Sequence, residues 1–150
     1  MFLIIVIVVT IVVLILRLKL KSKLKRRFAE NELVRDYINF KCNIFIKKIQ
    51  EATPKDYEKN IEVREYGEVH SYGFGLRSFN FKEHHMKELN DYECKCMFEV
   101  VTEGIIEAVK SKLPIHLSHD FPTFRVEKDG STFYIIYTAS NKNYIKPKSW

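Results

Sequence analysis

An α+β fold carrying one N-terminal membrane helix is predicted by three features of the sequence. An uncharged apolar stretch opens the chain, helical and strand periodicities alternate after it, and an Asp-Gly turn sits between two alternating runs near the C-terminus.

Met1 to Leu16 carry no charged side chain, and Arg17, Lys19, Lys21, Lys23, Lys25, Arg26 and Arg27 follow at once. Counting Leu18 and Leu20, whose neighbours Arg17 and Lys19 can snorkel, a helix over residues 1–20 reaches about the 30 Å thickness of a hydrocarbon core. Isoleucine, valine and leucine with a single threonine leave no polar stripe of the kind a soluble core helix shows. A cleaved signal peptide is the rival reading. Against it, no cation precedes the apolar run, and Val13 to Leu16 offer no small-residue cleavage site.

With its cations all C-terminal to the apolar run, the chain is expected to place the rest of itself on the cytoplasmic side. The odd set of three cysteines, Cys42, Cys94 and Cys96, and the lack of any Asn-x-Ser/Thr site agree with that side. The net charge is +6, and without the seven cations of residues 17–27 it becomes −1. The basic character therefore belongs to a segment at the membrane surface, where anionic lipid is the expected partner, and nucleic acid is not.

Residues 28–140 have the size of one domain, with no low-complexity linker, and residues 141–150 form a polar tail. From Phe28 to Gln50, Leu33, Val34, Tyr37, Ile38, Ile44, Phe45 and Ile49 recur at helical spacing, and Thr53-Pro54 ends the helix. Between Asn60 and Phe81 the period becomes two, which predicts two strands turning near Gly67.

Asn80 with Glu83 predicts the start of a second helix reaching Leu113, with a break possible near Asn90-Asp91 and with Gly104 allowing close packing on the sheet. Asp129-Gly130 predicts a two-residue hairpin in which Val126 faces Phe133 and Phe124 faces Ile135. The order is αββαββ: an antiparallel sheet with two helices on one face, a permuted ferredoxin-like layout.

Candidate chemistry concentrates at His116, His119 and Asp120, where two imidazoles three residues apart and a carboxylate can converge on a metal, with Cys94 and Cys96 as possible thiolate ligands. Zinc sites ordinarily space paired cysteines by two residues, and Pro114 and Pro122 mark the histidine segment as a loop. No nucleophile elbow, His-Glu-x-x-His helix or phosphate-binding lysine loop occurs in the sequence. A tyrosine-rich surface drawn from Tyr66, Tyr72, Tyr134, Tyr137 and Tyr144 suits a protein partner. The expected function is a membrane-anchored, non-catalytic accessory, scaffold or immunity-like protein without a cofactor. The alternative is a tethered metal-dependent hydrolase using His116, His119 and Asp120.

Overall fold

The structure, a computed structural model, describes residues 1–52, 61–70, 73–76, 79–80, 89–113 and 123–139. The histidine segment with His116, His119 and Asp120, Tyr72 and the tail from residue 141 lie outside the described residues.

α1 (Phe2–Ala29) is one uninterrupted helix, long and apolar enough to cross a membrane, as its freedom from glycine and proline allows. Glu30 and Asn31 separate it from α2 (Glu32–Glu51), whose first turn is capped by the Asn31 side chain accepting from the Val34 N–H. β1 (Ile61–His70), β2 (Gly73–Leu76) and β3 (Phe79–Asn80) follow, then α3 (Asp91–Lys112) and the hairpin β4 (Thr123–Asp129) and β5 (Thr132–Ala139). The strands order as β3-β2-β1-β5-β4, every neighbouring pair antiparallel, around a three-stranded centre of β1, β5 and β4.

α2 and α3 share one face of the sheet. Phe28, Val34, Tyr37, Phe45 and Ile49 meet Met97, Val101, Ile105 and Val109, and together they cover Val63, Phe133, Ile135 and Tyr137. Aromatic edges lock the layers, with Phe98 against Phe133 at 5.6 Å and Phe45 against Phe124 at 6.2 Å between centroids.

Five local expectations are corrected. β1 does not turn at Gly67 but runs on to His70, with Gly67 opposite Phe133. A Cβ there would lie 2.2 Å from the Phe133 ring and 2.5 Å from the Tyr37 hydroxyl, so this glycine serves close approach. Among the described residues three strands rather than two stand between α2 and α3, because the two-residue β3 adds to the edge.

α3 begins at Asp91. Asn90 and Glu93 make the reciprocal capping box there, the same Asn-x-x-Glu pattern that Asn80 and Glu83 display ten residues earlier. Gly104 packs on Ile38 of α2, 2.7 Å from where a Cβ would sit, and not on the sheet.

The hairpin turns one residue later than expected, with Gly130 at φ 57° in the first central position and Asp129 paired with Thr132. Val126 therefore faces Ile135 and Phe124 faces Tyr137. Sliding the turn by one residue moves the pairing by two, so the inward face keeps its apolar residues.

Candidate functional site

Two surfaces carry the polar groups through which the described residues can act. One joins α1 to α3, and the other is the face of the sheet turned away from the helices.

On α1 the cations at every second position cannot share a face, since each residue turns the helix by about 100° and alternate residues fall on nearly opposite sides. The structure divides the seven accordingly. Lys21 and Lys25 point at α3: Lys21 Nζ lies 2.8 Å from Glu99, and Lys25 Nζ lies 3.3 Å from Glu99 and 2.8 Å from Glu103. Leu24 is half-buried beside them and Phe28 fully buried, so the end of α1 belongs to the domain core. Lys19, Lys23, Arg26 and Arg27 are exposed, with Arg26 paired to Glu30 and Arg27 stacked over Phe28. Arg17 is exposed one turn before Lys21.

The electrostatics of this junction are those of a half-exposed ladder. Hydrogen bonding to Glu99 raises the Lys21 ammonium above its ordinary value, and bonding to Glu103 does the same for Lys25. Burial pushes the Glu99 carboxyl up, but the bonds from Lys21 and Lys25 outweigh it and leave the group below its ordinary range.

The outer sheet face carries Glu62, Arg64, Tyr66, Arg125 and Glu127, all exposed, with Tyr66 directly opposite Tyr134 on the neighbouring strand. Arg125 links three elements of this face: its guanidinium donates to Glu62, Glu127 and the Thr138 hydroxyl. Bonds from Arg125 and Arg64 hold the Glu62 carboxyl below its ordinary range. Of the five tyrosines singled out in the sequence, only Tyr66 and Tyr134 meet here. Tyr137 faces the helices and is buried, and Tyr72 and Tyr144 lie outside the described residues.

A third charged cluster is internal. Glu65 occupies a helix-facing position of β1 at 3% side-chain exposure, and Lys41 at 4% meets one of its oxygens at 2.6 Å while Lys48 meets the other at 2.6 Å. Lys41 also donates to the Tyr66 carbonyl, and Lys48 to the Arg64 carbonyl. These two carbonyls alternate along the margin of β1 away from β5, so α2 supplies the ammonium groups that close a strand edge. Nothing in the local sequence marks Glu65 as inward-facing except the alternation with Val63 and Gly67.

The two cysteines named with the histidine segment lie on α3. Cys42, Cys94 and Cys96 are thiols and form no disulfide. Cys94 is half-buried, with its thiol pushed up by burial and by the carboxylates of Asp91 and Glu93, the opposite of what a ligand or nucleophile requires. Cys96 is buried two residues on along the helix. Among the described residues no three His, Cys, Asp or Glu side chains are grouped to hold a metal ion.

The residues that sequence reasoning missed are Glu99 and Glu103, whose four-residue spacing repeats that of Lys21 and Lys25. No family model matches the chain, and neither curated proteins nor solved structures yield a match.

Proposed function

We propose that the protein is a single-pass membrane-anchored accessory protein. In this reading α1 spans the bilayer over residues 1–20, the α+β domain stands on the cytoplasmic side, and that domain binds another protein without catalysis. The observation that carries this reading is the exposure of every large apolar side chain from Leu3 to Leu20, on all sides of a helix whose far end is built into the domain core. Such a surface suits lipid. Helix continuity through Ala29 supports an anchor over a cleaved leader, because a cleavage site needs extended backbone near the residues that here are helical. The cations after the span support the cytoplasmic side.

For the partner, the outer sheet face is favoured. Tyr66 and Tyr134 side by side with Arg125 are the residue types that dominate the energetics of protein interfaces.

Protease added to intact cells should leave the domain intact, and protease added to inside-out vesicles should digest it; the reverse pattern overturns the orientation. A photo-crosslinking residue placed at Tyr66 in native membranes should give one discrete adduct that Arg125→Glu removes, while the same residue at Lys110 on α3 gives none. Equal labelling at both positions defeats the assignment of the face. Stoichiometric zinc or manganese in the purified full chain, lost in His119→Ala, would replace this reading by the hydrolase.

A further inference from the structure

β4 is the last strand of the sheet, and among the described residues no strand lies on its far side. Its residues from Arg125 to Asp129 are all exposed. The two-residue turn closes on the pair Asp129 and Thr132, so Asp129, Glu127 and Arg125 direct their backbone N–H and C=O groups to β5. Those of Phe124, Val126 and Lys128 alternate with them and point to the open margin.

Charged side chains ordinarily protect such a margin from other strands. In β4 they do not protect it from its own copy. An antiparallel copy centred on Val126 sets Arg125 opposite Glu127, Glu127 opposite Arg125, Phe124 opposite Lys128 and Val126 opposite itself. The ion pair that Arg125 and Glu127 make along the strand, at 3.0 Å, is kept, because the copy extends it to a square of alternating signs. Val126, at the centre, is 38% exposed and gains an apolar neighbour.

The direction of α1 decides where that copy stands. The Lys128 ammonium lies 5.3 Å from the centre of the Phe98 ring and that of Lys110 5.6 Å from the Phe124 ring, so α3 runs opposite to β4. α1 runs with α3, since Lys21 meets Glu99 and Lys25 meets Glu103. The apolar half of α1 therefore leaves the domain toward the Asp129 end of β4. Two identical strands joined antiparallel in one sheet are related by a two-fold axis perpendicular to it, which points the two apolar halves in opposite directions. One flat bilayer cannot take both.

We infer that β4 pairs with β4 of a second copy anchored in a facing bilayer, so that the protein ties two membranes together through one continuous sheet. The inference rests on α1 being in the membrane.

The test uses full-length chains reconstituted in separate populations of phosphatidylcholine vesicles that are then mixed. The unsubstituted chain should cluster them. Arg125→Cys in one population and Glu127→Cys in the other should form a disulfide between populations, because directly opposed residues of such a pair stand about 4.5 Å apart at Cα. Arg125→Cys in both should form none, nor should the unsubstituted chain with its own three thiols. Vesicles carrying Arg125→Glu, and vesicles carrying Glu127→Arg, should each cluster about tenfold less among themselves and recover when mixed with one another. Circular dichroism should show both variants folded.

A disulfide that forms within one population and not between two places both copies in one bilayer and overturns the tether. Clustering that persists with Arg125→Glu in every vesicle overturns the pairing. So does the absence of clustering and disulfide when the chain floats with the vesicles, an outcome that leaves the anchor standing. A chain that does not float overturns the anchor and the tether together.

Discussion

Two clusters of lysine and glutamate hold this molecule together, and they work in opposite ways. Between α2 and β1, Glu65 and Lys41 are almost completely enclosed, with Lys48 at the rim. Between α1 and α3, Lys21 at 40% exposure and Glu103 at 59% remain in contact with water. The chemistry is the same and the dielectric is not. An enclosed pair cannot lose one member without leaving an uncompensated charge, whereas a wet pair exchanges its partner for water or another ion at little cost. The first cluster commits α2 to the margin of the sheet. The second holds α1 with contacts that can be traded.

This contrast sets the order of expected effects. Removing one member of the enclosed cluster, as in Lys41→Met or Glu65→Leu, should destabilise the domain by about 3–5 kcal/mol in chemical denaturation. The double change Lys41→Met with Glu65→Leu should recover most of that loss, and a double variant as weak as either single would remove the distinction between the clusters. Gly67→Ala forces a methyl group into the Phe133 ring and the Tyr37 hydroxyl, and should cost about 1–3 kcal/mol in the same measurement. Asn90→Ala, which opens the capping box of α3 without touching either cluster, should cost about 1 kcal/mol.

The smallest effect on global stability is expected from Glu99→Gln with Glu103→Gln at the wet junction. It should be larger at low salt than at high salt, and loss of α1–α3 proximity should be visible by a distance probe before any change in the melting transition. The pH dependence has a definite sign. Glu99 is held below its ordinary value in the folded protein, so its contribution is present above the unfolded carboxyl value of about 4.3 and is lost as pH falls through the lowered value. Lys21 and Lys25 are raised, so theirs is present below the unfolded ammonium value of about 10.4 and is lost as pH rises through the raised values. A distance probe across α1 and α3 should therefore report separation at both extremes and constancy between them.

The elements that depend on local patterning were legible in the sequence: the apolar length of α1, the stripe of α2, the alternation in β4 and β5. What failed were choices between equivalent local signals. Asn80–Glu83 and Asn90–Glu93 are the same capping pattern; the second caps α3, where the sequence allowed a break, and Glu83 lies outside the described residues. Asp129-Gly130 marked a turn, yet the glycine sits first in it because that position needs φ above zero. Gly67 resembles a turn residue until Tyr37 and Phe133 are brought against it from distant parts of the chain.

In composition the basic block is a run of seven cations after the apolar stretch. Its division into two faces required the helix, and the pairing of Lys21 and Lys25 required the placement of α3, which no spacing within the block encodes. His116, His119 and Asp120 lie outside the described residues.

The unbroken course of α1 from Phe2 through Ala29 has a mechanical consequence. A continuous helix with Phe28 buried in the domain core fixes the azimuth of its apolar half relative to the domain by the helical phase. One alanine inserted between Leu18 and Lys19 would turn the apolar half by about 100° against the domain while lengthening it by about 1.5 Å. Any partner that recognises both halves at once would see a differently keyed molecule.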